Sequence, residues 1–368
     1  MIYLDSGATS FRKPASVYRA AERAMRTCAN PGRGGYEAAM GASRQIYRCR
    51  EEAGTLFHCQ PEQVVLTTSC THGLNIAIRS LVKPGQKVVV TGFEHNAVTR
   101  PLHALGAEIA VAGRKLFDWE NTLEEFDRGL KGAQAAVFTH VSNVFGYILP
   151  VEEMAALCRE RGVPFVIDAA QSAGTLPVDL EQLGAAFIAM PGHKGLLGLQ
   201  GTGLLLCSGG AEPLLFGGTG SASIDQEMPQ ELPERLEAGT MNVPGYAALA
   251  EGIRYLNRAG IGSCYEREHR QLLRCIRGLE KLGMQAFSGA HQASTVSFLP
   301  GSDCEDAAAF LARRGIAVRA GLHCAPYAHE SAGTLETGTV RISFGFDASD
   351  AQTDAFLRAA SKLPPFGR

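Results

Sequence analysis

Five short apolar runs in the middle of the chain end on polar residues of catalytic type. The run 63–69 (QVVLTTS) is followed by Cys70, Thr71, His72 and Gly73, which open a helical pattern. Glu94 and His95 follow 87–93 (KVVVTGF), and Asn143 follows 135–141 (AAVFTHV). The run 164–170 (PFVIDAA) contains Asp168 and leads to Gln171. After 186–192 (AFIAMPG) come His193 and Lys194, in the Gly-rich turn GHKGLLG. Singly, each has an ordinary structural explanation. An Asp closing a strand caps a turn, a Lys in a Gly-rich turn is solvated, and Ser-Cys-Thr caps a helix. Together they form a chemical set. A helix N-terminus with Gly in its first turn cradles an anion through free N–H groups and the helix dipole. A buried acid, an aromatic His and a reactive amine complete it. Pyridoxal phosphate requires that set: a Lys to form a Schiff base, and a carboxylate that keeps the ring nitrogen protonated so that the ring acts as an electron sink.

The runs must be strands for these ends to meet. They are brief, rich in Val, Ile and Leu, and closed by turn residues, as is a sixth, TGLLLCS at 202–208. The helical patterns LNIAIRSLV, TRPLHALG and VEEMAALCRER lie between them. This alternation predicts an α/β chain with a largely parallel sheet covered on both faces. Ligands in such sheets bind beyond the carboxyl ends of the strands. After about residue 255 the texture changes. A charged helical stretch (SCYEREHRQLLRCIRGLEKLG) leads to STVSFL, DAAAFLARRG, IAVRAG and TVRISFG, an α+β unit with an antiparallel sheet. We expect a large domain over 16–255 and a small one over 1–15 and 256–368. The segment 228–239 (MPQELPERLEAG) reads as an exposed connector.

Bulk properties exclude several classes. In 368 residues, 35 Lys and Arg stand against 37 Asp and Glu, a net charge of -2 that opposes a nucleic-acid binder. There is no GxGxxG after a strand, no GxxxxGK[ST] and no HExxH, and the His spacing fits no metal site, so no metal is expected. The N-terminus has no signal pattern and no run approaches the ~20 apolar residues of a membrane span, so a cytoplasmic protein is expected. The 10 Cys include no CxxC pair and read as free thiols of a reducing compartment.

The chain resembles class V aminotransferase-fold enzymes of the cysteine desulfurase and selenocysteine lyase group. The resemblance runs through YLDSGAT, EHNAV, THVSNVFG, VIDAAQSAG, GHKGLLGLQGTG, EAGTMN, GIAVRAGLHCA and TVRISFG. It implies the fold type I of pyridoxal-phosphate transferases. It makes Lys194 the Schiff-base lysine, Asp168 the partner of the ring nitrogen, Gln171 the contact of the ring hydroxyl, and His95 a ring-stacking residue and proton shuttle. Thr71, His193 and the Cys70 backbone would hold the phosphate. Thr240 would reach the phosphate of a neighbouring subunit, which implies a homodimer. Asn143 would line the site, Arg341 would clamp the substrate carboxylate, and Arg319 would sit beside it. Cys324, in RAGLHCA, would attack the substrate sulfur, leaving a persulfide and alanine. The short connection from Cys324 to Arg341 resembles the group with an ordered catalytic loop, activated by a dedicated protein acceptor. The implied substrate is L-cysteine. A selenocysteine lyase acting on L-selenocysteine shares nearly every motif, and another class V aminotransferase or β-lyase is a further alternative. Four positions depart from the family pattern: Pro191 for a Ser, Cys70 for a Thr, His72 for a Glu and Leu322 for a His.

Overall fold

The computed structural model describes residues 1–32, 34–220 and 224–363. Along the chain run β1 (Ile2–Tyr3), α1 (Ala15–Thr27), α2 (Glu37–Phe57), β2 (Val64–Thr67), α3 (Cys70–Leu81), β3 (Lys87–Thr91), α4 (Asn96–Ala104), β4 (Glu108–Ala112), α5 (Trp119–Leu130), β5 (Ala135–Thr139), α6 (Val151–Glu160), β6 (Phe165–Asp168), α7 (Leu180–Leu183), β7 (Phe187–Pro191) and β8 (Gly203–Cys207). They continue with α8 (Val243–Ala259), α9 (Ile261–Lys281), β9 (Gln285–Phe287), β10 (Thr295–Leu299), α10 (Cys304–Ala312), β11 (Ile316–Ala317), β12 (Arg319–Gly321), α11 (Pro326–Ala332), β13 (Thr339–Ser343) and α12 (Asp350–Ala360).

Each of the six expected strands forms, within a seven-stranded sheet of order β2-β8-β7-β6-β5-β3-β4. The pairs β3–β4, β3–β5, β5–β6 and β6–β7 are parallel, and β8 is antiparallel to both of its neighbours. Only β8 is therefore reversed. It carries no predicted site residue, so the carboxyl ends of β2, β3, β5, β6 and β7 still share one edge. Successive strand residues feed opposite faces. Leu66, Phe138 and Ile167 pack with Phe57, Phe126, Met154 and Leu249 on one side. Val65, Val137 and Val166 pack with Leu74, Ile78 and Leu102 on the other. Burying each such side chain stabilises the fold by about 1.5–3 kcal/mol.

The C-terminal segment builds an antiparallel sheet, β12-β13-β10-β9. Its core joins Leu272 and Ile276 of α9, Phe298, Ile342 and Phe356 to Leu4 at the chain start, where β1 pairs in parallel with β11. The expected connector is exposed only in part, at Gln230, Glu231, Glu234 and Gly239. Met228 and Leu236 are buried, and the Glu237 side chain, 8% exposed, pairs with Arg50 at 2.6 Å and accepts the Leu66 N–H at 2.6 Å. Among the described residues no helix is long and apolar enough to cross a membrane.

Candidate active site

A cavity of about 240 Å³ lies at the shared strand edge. Cys70, Thr71, His95, Asn143, Asp168, Gln171, His193 and Lys194 line it from the large sheet, and Arg319, His323 and Arg341 from the small one. Two expected residues are not in its wall. Cys324 is exposed, on the same short segment as His323. Thr240 is exposed and faces a separate cavity of about 580 Å³, beside Arg50 and Glu237 of the same chain.

The expected anion cradle is the start of α3. Ser69 caps it, its Oγ accepting the His72 N–H at 3.1 Å. The Cys70 and Thr71 N–H groups precede the first intrahelical bonds and point out of the helix end. Gly203 lets β8 run close beneath this turn: a Cβ there would stand 2.7 Å from the Ser69 carbonyl carbon. Of the departing residues, Pro191 ends β7 in the cavity wall without a hydroxyl. His72 turns its Nδ1 to the Thr68 N–H at 3.3 Å.

Asp168 is buried at the end of β6. Its Oδ1 accepts the Ala170 N–H at 2.9 Å and faces the Cys70 thiol at 3.4 Å. Burial pushes the Asp168 carboxyl up, against the Ala170 N–H and the Lys194 charge, which pull it down. Burial and the Asp168 charge push the Cys70 thiol well above its usual range, so it stays protonated. Burial also lowers Lys194, helped by Arg341 and opposed by Asp168. A lysine so placed loses its proton more readily than one in water, as an amine nucleophile must. Its loop seats tightly on the turn after Asp168, because a Cβ at Gly195 would stand 2.3 Å from the Ala173 carbonyl oxygen. The His193 carbonyl accepts the Ser10 N–H at 2.8 Å, and its Nδ1 lies 3.0 Å from Thr9 Oγ1.

His95 caps α4 with its own ring: Nδ1 accepts the Ala97 N–H at 3.0 Å. The ring proton therefore sits on Nε2. Burial first, then the charges of Lys194, Arg319 and Arg341, lower His95 to about 4, so the ring is neutral at pH 7. Gln171 donates its Nε2 to the Gly7 carbonyl at 3.0 Å.

Arg341 is buried on β13, opposite Arg319 of β12. Its Nη1 donates to the Asn143 carbonyl at 3.0 Å and its Nη2 to Asp5 Oδ1 at 2.6 Å, while Nε has no partner. Asp5 lies 336 residues away in sequence, and reading the sequence did not single it out.

The Cys324 segment is held in an unusual backbone shape. His323 and Cys324 both have positive φ, 50° and 58°, a conformation that costs about 1–3 kcal/mol per non-Gly residue unless its surroundings enforce it. Two bonds do so. Asn143 Nδ2 donates to the His323 carbonyl at 2.8 Å, and the Asn96 N–H donates to the Cys324 carbonyl at 2.7 Å. Of the ten free cysteines, only Cys324 is exposed. Two residues before it Leu322 is 39% exposed. His323 is buried, and burial lowers it to about 2. It lines the cavity, although the sequence expectations give it no role of its own.

Residues 2–356 match the family described as Aminotransferase class-V. A probable cysteine desulfurase of Pyrococcus abyssi is 32% identical over 382 residues, covering 99% of this chain and 94% of that protein. The apo structure of a cysteine desulfurase from Thermococcus onnurineus NA1 superposes with a TM-score of 0.90 at 33% identity, over 98% of this chain and 94% of that one. A more distant structure, holding glycine covalently linked to a PLP cofactor, has a TM-score of 0.84 at 20% identity over 99% and 97% of the two chains; at that identity the likeness is one of fold. The chain therefore belongs to the class V aminotransferase family, in its cysteine desulfurase group.

Proposed function

We propose that this protein is a pyridoxal-phosphate-dependent cysteine desulfurase. It takes sulfur from L-cysteine onto Cys324, releases L-alanine, and works as a cytoplasmic homodimer that passes the sulfur to a protein acceptor. The observation that carries this reading is the setting of Cys324: the exposed one of ten thiols, on a backbone pinned to the residue after His95 and to Asn143.

The donor set fits pyridoxal phosphate. The free N–H groups at the start of α3 suit a phosphate, the buried Asp168 carboxylate suits a protonated ring nitrogen, and Lys194 suits the aldehyde. When bound, that cofactor supplies an electron sink for charge developing at the substrate α-carbon. The chain's own groups do the rest. The unpartnered Nε of Arg341 is a buried donor for the substrate carboxylate, oriented by the bonds of its two Nη atoms. Lys194, lowered by burial, is suited to hold and return the α-proton. Neutral His95 presents Nε2–H as a hydrogen-bond donor. Cys324 Sγ takes the sulfur: an S–S bond forms as the substrate Cβ–S bond breaks, and Cβ gains a proton. Cysteine plus the Cys324 thiol thus gives alanine plus a Cys324 persulfide, with no external oxidant. Thr240, exposed in its own chain, is available to a phosphate bound in a second subunit.

The test is alanine release from L-cysteine and L-selenocysteine by the wild-type protein loaded with pyridoxal phosphate and by Cys324→Ala. The reading expects alanine from cysteine that Cys324→Ala fails to make. Alanine from cysteine at an unchanged rate in Cys324→Ala would remove Cys324 from the reaction, and pyruvate with sulfide and ammonia in place of alanine would assign a β-lyase. Alanine from selenocysteine alone would assign the lyase.

A further inference from the structure

Glu94 is 0% exposed and lies one residue before His95. The strands it joins part company beneath it. β3 pairs with β5 at only two positions, Val88 with Ala135 and Val89 with Ala136. Beyond them β3 stays with β4 as far as Thr91, and β5 stays with β6 as far as Thr139, opposite Asp168. The main-chain ladder between β3 and β5 is thus missing where the crevice opens. One carboxyl oxygen spans the gap. Glu94 Oε1 accepts the Thr91 N–H at 3.2 Å and the Thr91 hydroxyl at 2.5 Å from the β3 side, and the Thr139 N–H at 3.1 Å from the β5 side. The other oxygen, Oε2, is buried with no partner. A buried carboxyl of this kind is expensive to keep, and an apolar residue would fill the space without that cost. What an apolar residue does not supply is an acceptor for two strand-end N–H groups on diverging strands.

We propose that Glu94 is a positioning residue: its Oε1 bridges the split between β3 and β5 and so fixes where His95 stands relative to Asp168 across the cofactor cavity. The proposal deepens the desulfurase reading and rests on it. His95 is fixed to the start of α4, its Nδ1 accepting the Ala97 N–H and its carbonyl the Val98 N–H, so the placement of the β3 end relative to β5 carries the ring with it. Thr139, the far end of the bridge, lines the cavity itself. Thr91 and Thr139 meet the carboxyl from β3 and β5, and Asp168 is the charged group that acts on it from β6. Burial raises Glu94 to about 8, so the bridge operates as a neutral acid whose carbonyl oxygen accepts. This predicts that an amide replaces it well.

The test uses Glu94→Gln, which keeps the acceptor; Glu94→Ala, which removes it; and Glu94→Asp, which keeps a carboxyl but shortens the reach to Thr139. Three quantities are read: the side-chain NMR resonances of His95 in the cofactor-free protein, the Kd for pyridoxal phosphate, and kcat and KM for alanine formation from L-cysteine. Glu94→Asp and Glu94→Ala are expected to move the His95 resonances and lower kcat about tenfold or more, with KM changed far less. Glu94→Gln is expected to restore both to near wild type. Wild-type His95 resonances and kcat in folded Glu94→Asp would overturn the proposal. So would a Glu94→Gln variant as impaired as Glu94→Ala. Glu94→Asp decides the matter if Glu94→Ala does not fold. A wild-type protein that binds no pyridoxal phosphate or makes no alanine would sink the functional reading instead, and the His95 resonances of the cofactor-free variants would still judge Glu94.

Discussion

The backbone N–H of Asn96 donates to the carbonyl oxygen of Cys324 at 2.7 Å. One bond thus joins the residue after the proposed cofactor-stacking histidine to the proposed sulfur-accepting cysteine. It runs between a helix start of the large sheet and a loop of the small one.

That bond can be cut without disturbing the helix. Asn96 is the first residue of α4, and His95 before it has φ -78° and ψ 154°. These positions suit a proline at 96, which removes the N–H and, with the side chain, a long 3.4 Å acceptor for Thr99 Oγ1. Asn96→Pro should leave the thermal midpoint nearly unchanged while lowering kcat for alanine formation about tenfold, because Cys324 loses a restraint on its positive-φ backbone. Melting curves and steady-state kinetics check it.

Arg341 holds two acceptors and leaves one donor free. Lysine cannot hold both anchors and still present a third N–H in that plane. Arg341→Lys should lower kcat/KM for L-cysteine about 10- to 100-fold, in line with the loss of a charged hydrogen bond. Titration of the cofactor should show its affinity changed much less.

Stability should depend on pH through buried groups of opposite sign. Burial lowers His95, His140, His193 and His329 to about 4. In the unfolded chain these groups titrate near 6.5, so the folded form binds fewer protons between the two values and loses stability as pH falls through that window. Burial raises Glu94 and Glu268 from 4.5 to about 8. Their contribution is complete below 4.5 and is lost as pH rises toward 8. With His323, lowered to about 2, five histidines outweigh two carboxyls on the acid side. Between pH 6.5 and 8 the unfolded histidines are neutral and the carboxyl effect is left. Denaturant unfolding of the cofactor-free protein should show wild type losing stability relative to Glu94→Gln over that range, by up to about 1.4 kcal/mol per pH unit.

The Arg50–Glu237 pair has both side chains 8% exposed. Glu237→Ala would leave a buried guanidinium without its carboxylate and should cost about 3–5 kcal/mol in denaturant unfolding. Arg50 and Thr240 share one cavity wall, so the same variant should also weaken any dimer formed through Thr240.

Much of this arrangement was legible in the chain. Asp168 and Lys194 stood out because buried strands read as apolar runs and their polar ends break the pattern. The direction of β8 was not legible, since GLLLC is buried throughout and reads alike either way. β4 escaped notice because EIAVA, at the sheet edge, is only partly buried. The buried part of 228–239 was not legible because Glu237 looks solvated until Arg50, 187 residues away, is set beside it. The tethers on Cys324 come from Asn96 and Asn143 through backbone carbonyls, which carry no residue-type signal. The same holds for Glu94, whose partners are mostly main-chain N–H groups of strands that sequence shows only as apolar runs.

The central claim is that Cys324 accepts sulfur from cysteine. The most direct measurement is peptide mass spectrometry of the pyridoxal-phosphate-loaded protein after L-cysteine, without reductant and with free thiols alkylated. The account predicts one added sulfur atom on the Cys324 peptide, absent without L-cysteine and absent from the peptides of the other nine cysteines. Alanine formed in full while Cys324 remains an unmodified thiol would contradict it.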